Sequence, residues 1–210
     1  MPMMGELRAD GLHIEGYVNI PGRESRPVQT PRGRVNEIIE PRAFASALDE
    51  AKDVQMLLDH DRNRVLASRN AGTLELTEDA VGLRARSVIT DEEVIGYARK
   101  GELRGWSFNI KNPEDSVEER AGKLPLRRVK KFSMDEISLI VHKIPVYSAT
   151  VVEVRAGSDE DDLTEYRGIG EDFTFKDMRE TTKNPNLPEN RENNIDYNQI
   201  YQARIDALKL

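Results

Sequence analysis

Residues 12–154 return repeatedly to short apolar runs separated by turn residues, and from Ala156 onward that alternation stops. The runs near 12–19 (LHIEGYVN), 54–60 (VQMLLDH), 73–77, 82–88, 103–110, 126–133, 135–142 and 149–154 predict strands in a mostly antiparallel arrangement. Two stretches carry helical signals instead. PRAFASALDEA at 41–51 puts Pro41 where a helix start tolerates a missing N–H, followed by good helix formers. TDEEVIGYARKGEL places Thr90 as N-cap with Glu93 three residues on, a capping box, and Gly101 as the stop. The second helix leads straight into RGWSFNI at 104–110. There Arg104, Trp106, Phe108 and Ile110 alternate onto one face and leave Gly105, Ser107 and Asn109 on the other.

The change of texture after Val154 divides the chain. Residues 1–155 read as one domain, 156–194 as a flexible acidic and polar linker, and 195–210 as an amphipathic helix. In that last piece Tyr197, Ile200, Tyr201, Ile205 and Leu208 fall at helical spacing, a stripe suited to docking or self-association.

Composition narrows this reading in three places. With 210 residues and 38% hydrophobic content, the chain can bury one sizeable core. Zero Cys removes disulfides, thiolate zinc sites and Cys nucleophiles together. A net charge of −7 argues against general nucleic-acid binding, and RRVKK at 127–131 reads as a solvated strand or loop face. No run approaches the roughly 18 apolar residues of a membrane span, and the opening MPMMGELRADG lacks a signal-peptide pattern, so a soluble protein is expected.

Only His13, His60 and His142 offer a neutral-pH base. His60 closes VQMLLDH, on the face of Val54, Met56 and Leu58, where a side chain reaches from a packed sheet into a cleft; the plain alternative is a histidine capping a strand end. Metal binding is not expected, since Asp59, His60 and Asp61 are too close in extended chain to converge on one ion. Ser107 needs a base to act as nucleophile, and is otherwise a small polar residue on a half-exposed strand. Lys111 shares its face but lies roughly 13 Å along the strand, which leaves His60. A third group should orient the imidazole, and Asp135, Glu136 and His142 are all candidates from FSMDEISLIVHKI.

Six segments, in order, resemble the prohead maturation proteases of tailed phages: IEGYVNI (14–20), EIIEPRAFASAL (37–48), VQMLLDHDRNRVLA (54–67), GTLELTEDAVGLRARSVI (72–89), LRGWSFNI (103–110) and MDEISLIVHKIPVYSAT (134–150). The resemblance covers about residues 12–154. It implies a mainly β fold with flanking helices, of the α+β class, built on a small closed antiparallel β-barrel like that of the herpesvirus assembly proteases. It also implies a serine endopeptidase with Ser107 as nucleophile and His60 as general base. The family's acidic member, in a motif of Glu, then Val or Ile, then Ser, falls on Glu136; Asp135 ranks second, and His142 third by analogy with the herpesvirus enzymes. Oxyanion donors would be backbone N–H groups or Arg127 and Arg128. No cofactor or metal is implied.

Expected substrates and partners are the scaffold protein or the scaffold-like part of the major capsid protein, and the protease itself, inside a procapsid assembling in the host cytoplasm, without membrane or nucleic acid. One departure lies close to the chemistry. Family members usually carry Gly two residues after the serine, and this chain has Asn109. That difference sustains an alternative: a catalytically inactive assembly or scaffolding module that binds through its tail.

Overall fold

The helix that begins after Pro41 shows how distant parts of the chain shape each other. In the computed structural model, α1 spans Ala43–Glu50, and Arg42 ahead of it is left-handed (φ 72°) with no side-chain cap of its own. The carboxylate of Glu78, on a strand well along the chain, instead accepts from the backbone N–H groups of Arg42 (2.6 Å) and Ala45 (2.7 Å). The buried face of α1 supplies Phe44, whose ring meets Phe108 and Phe132 edge to face at 5.1 and 5.2 Å. The second helix, α2 (Glu92–Arg99), starts one residue later than the capping-box reading, with Asp91 accepting from the N–H groups of Glu93 and Val94.

The structure describes residues 3–142, 164–170 and 173–179, which belong to one unit, Met1–Arg179. Its first strands are β1 (Met3–Arg8), β2 (Gly11–Asn19), β3 (Val28–Thr30) and β4 (Gly33–Ile39). After α1 come β5 (Gln55–Leu58), β6 (Asp61–Ser68), β7 (Leu74–Glu78) and β8 (Leu83–Ile89); after α2 come β9 (Gly105–Glu118), β10 (Leu126–Ser133), β11 (Glu136–Ile140), β12 (Thr164–Gly170) and β13 (Phe173–Asp177). Five strands form one sheet in the order β13-β1-β2-β8-β7, and a second sheet runs β3-β4-β10-β9-β11-β5-β6 with β12 also on β9. The described residues are therefore mainly β with two helices. Among the described residues, two sheets with open edges stand where a single closed barrel was expected.

Strand β9 is the axis of the larger sheet. Residues of β10 and β11 pair in sequence along it, from Leu126 opposite Glu118 to Ile140 opposite Gly105. Residues 105–111 also pair with β12, which must run along the other edge. Both faces of the Trp–Ser stretch are buried as well. Trp106, Phe108 and Ile110 are fully enclosed on one, and Ser107 and Asn109 are covered on the other rather than half-exposed. Close approach explains Gly16: a Cβ there would stand 2.7 Å from the Trp106 indole nitrogen, so only glycine lets β2 pass the ring.

Two segments read as linker are strands. TEYRGIG pairs with β9 and FTFKD runs parallel to β1. The expected strand at 149–154 and the amphipathic helix at 195–210 lie outside the described residues.

Candidate active site

Strand β5 ends at Leu58, and His60 is not the last residue of a strand as alternation suggested. Asp59 (φ 49°) and His60 (φ 63°) are the two central residues of the tight turn joining β5 to β6, where Leu58 pairs with Asp61. Left-handed backbone at a residue with a Cβ costs about 1–2 kcal/mol each, and Asp59 supplies compensating bonds. Its carboxylate accepts from the backbone N–H groups of Val141 (2.8 Å) and His142 (3.2 Å), and its own N–H donates to Leu139 O at 2.9 Å. The turn is thereby pinned to the end of β11.

From that turn the His60 ring reaches β11. Its Nδ1 stands 2.5 Å from Glu136 Oε1 and 3.3 Å from Ser138 Oγ. Glu136 is fully buried, its other carboxylate oxygen has no hydrogen bond among the described residues, and Arg62 Nη2 stands 3.5 Å from that oxygen. A neutral imidazole donating its Nδ1–H to this carboxylate keeps Nε2 as a proton acceptor.

Ser107 lies directly across from Ser138 in the β9–β11 pair, which sets their Cβ atoms about 5 Å apart on one face. Ser107 is 3% exposed, and its hydroxyl donates to the backbone oxygen of Arg167 on β12 at 2.8 Å. Tyr166 of β12 meets His60 edge to face at 4.6 Å. Serine, imidazole and carboxylate thus gather on one side of the sheet, with β12 beside Ser107 on the other edge of β9.

The other candidates go elsewhere. Asp135 bonds Asn109 Nδ2 (2.5 Å), Lys111 Nζ (2.6 Å) and Arg62 Nη2 (3.1 Å). Burial raises its pKa, but the hydrogen bonds from Arg62, Lys111 and Asn109 outweigh it and hold the carboxyl below its ordinary value. Lys111 is engaged there as a counter-ion. His142 binds Asp59 at 2.9 Å and stands edge to face with Tyr97. His13 pairs with Asp10 at 2.7 Å.

Asn109, the residue that departs from the family pattern, is fully buried and fastens the start of β11. Its Oδ1 accepts from the backbone N–H groups of Asp135 and Glu136, both at 3.2 Å, while its Nδ2 donates to the Asp135 carboxylate. It thereby fixes the backbone from which the Glu136 side chain projects.

RRVKK is not uniformly solvated either. Arg127 is 1% exposed and bonds Asp115 (2.6 Å), Glu37 (3.0 Å) and Glu165 (2.7 and 2.9 Å). Arg128 is a surface partner of Glu40 at 3.1 Å. The Arg127 guanidinium is thus engaged by carboxylates on three strands. Arg167 is held by both oxygens of Glu37, at 2.7 and 2.9 Å, and by Glu165. Burial opposes the charged form of Arg167, and the adjacent Glu37 and Glu165 more than reverse it, raising its pKa above the ordinary value. Alternation cannot reveal such a cluster, because buried ion pairs have the same composition as a wet surface.

No curated protein matches the chain closely. The family description for caudovirus prohead serine proteases matches residues 3–163, which include His60, Ser107 and Glu136 and stop at the residue before β12. With three quarters of the sequence inside that match, the chain belongs to the caudovirus prohead serine protease family.

Proposed function

We propose that the chain is a serine endopeptidase of procapsid maturation in which Ser107 is the nucleophile, His60 the general base and Glu136 the group that orients the imidazole. The observation that carries this reading is the 2.5 Å contact between His60 Nδ1 and the buried Glu136, beside the paired Ser107 and Ser138. His60 Nε2 takes the Ser107 proton as Oγ attacks a peptide carbonyl carbon, and returns it to the leaving amine. Water then repeats the cycle on the acyl-enzyme. Ser138, within reach of both His60 Nδ1 and Glu136, steadies the ring.

The proposed substrates are the scaffold protein or the scaffold-like part of the major capsid protein, and the chain itself. Removing scaffold fragments would empty the shell for DNA and make the conversion irreversible. Residues 195–210 would dock the enzyme within the shell through scaffold or capsid contacts, raising its effective concentration there. The inactive-module alternative rested on Asn109, and bonds from Asn109 to the start of β11 support a site kept in order rather than one lost.

Co-expression with the capsid and scaffold proteins tests this reading by intact mass. Wild type is expected to shorten at least one of them, and Ser107→Ala to leave both whole. Equal processing by the two chains would remove Ser107 from the role.

A further inference from the structure

Strand β12 occupies the one edge of β9 beside Ser107 that β11 leaves open, and it does so in a definite register, with Gly168 opposite Ser107 and Arg167 opposite Phe108. The Ser107 hydroxyl donates to Arg167 O at 2.8 Å, which places the Arg167–Gly168 peptide at the candidate nucleophile. The side chains before that bond meet complementary groups. Arg167 is gripped by both oxygens of Glu37, and Glu165 by the guanidinium of Arg127. Tyr166, between them, turns to the opposite face and meets His60. Glu37, on β4, and Arg127, on β10, also bond each other, so both remain paired when β12 is absent.

From this register and crossed charge match, and resting on the serine-protease reading above, we propose that the edge of β9 is the substrate channel. It takes an antiparallel strand with Arg directly before the cleaved bond and an acidic residue two positions earlier. The chain's own Thr164–Gly170 segment is such a substrate. Glu37 and Arg127 are the specificity-determining residues. In the reaction the Ser107 hydroxyl turns from Arg167 O to His60, and Oγ bonds to the Arg167 carbonyl carbon. The bond to the Gly168 nitrogen breaks and that nitrogen takes its proton from the imidazolium. Water releases Arg167 as a carboxylate, freeing residues 168–210. Until then β12 keeps other substrates off the edge, as an antiparallel strand that adds to an open sheet edge must displace it.

Intact-mass measurement of the purified full chain over time tests this. Expected is a fragment ending at Arg167, absent from Ser107→Ala. Arg167→Glu sets a like charge against Glu37 and should slow that cut at least about 100-fold. In the same variant, loss of the tethered competitor should speed cleavage of an added peptide LTEYRGIGED, between its Arg and Gly, by about tenfold or more. Ser107-dependent cleavage at another bond, or an uncut chain that still processes the capsid or scaffold protein, would overturn the inference and leave the protease reading standing. Absence of Ser107-dependent cleavage of any of these substrates would instead remove the reading on which it rests.

Discussion

Asn109 carries the strongest consequence of a single side chain. Its amide oxygen satisfies two backbone donors at the start of β11, one of them from Glu136 itself. Replacing it by Ala leaves those buried donors unpaired, at a cost of about 1–3 kcal/mol. Denaturant unfolding should read that loss, and kcat should fall more than KM changes, because the displaced group acts through His60. Glu136→Gln keeps the shape but weakens the hold on the Nδ1–H tautomer; kcat for a processed substrate is expected to drop about 10²- to 10⁴-fold. Motif and resemblance marked Ser107, His60 and Glu136 as candidates in the sequence, and the structure brings His60 and Glu136 into contact, whereas the bonds that Asn109 makes had no such mark. Its partners are backbone N–H groups on another strand, which no side-chain pattern encodes.

At the level of elements, the turn between β5 and β6 decides where His60 stands. Alternation continued β5 through His60, but two consecutive left-handed residues bend the chain there. Asp59 binds the N–H groups of Val141 and His142 across the turn. Asp59→Ala should therefore destabilise the protein by about 1–3 kcal/mol and lower kcat with little change in KM, while Asp59→Asn, which keeps an acceptor, should recover part of both. Steady-state kinetics beside thermal unfolding separates the two effects. Strands with one buried apolar face, such as β2, β7 and β8, were visible as alternation. Strand β12 was invisible for the opposite reason, since its inward residues are Glu165 and Arg167 and a sequence cannot distinguish a buried ion pair from a solvated one.

Across the whole molecule, the segment beyond the family match joins both sheets, with β12 on β9 and β13 on β1. Part of the hold on β12 is electrostatic and should be sensitive to acid. Burial raises the Glu165 pKa, but Arg127 and Arg167 outweigh it and hold the carboxyl below its ordinary value of 4.5. A depressed carboxyl contributes stability that is complete above its unfolded pKa and is lost as pH falls through the folded one. Strand β12 should stay docked at neutral pH and loosen below 4.5, which hydrogen exchange at the amides of 164–170 in Ser107→Ala, quenched at matched pH, would report. The central claim is that Ser107 and His60 act as one unit. Its most direct measurement is the rate at which the capsid or scaffold partner is processed by Ser107→Ala, His60→Ala and the double variant. The three are expected to share one floor, about 10⁴-fold or more below wild type. Losses that multiply in the double variant, or Ser107→Ala processing at the wild-type rate, would contradict it.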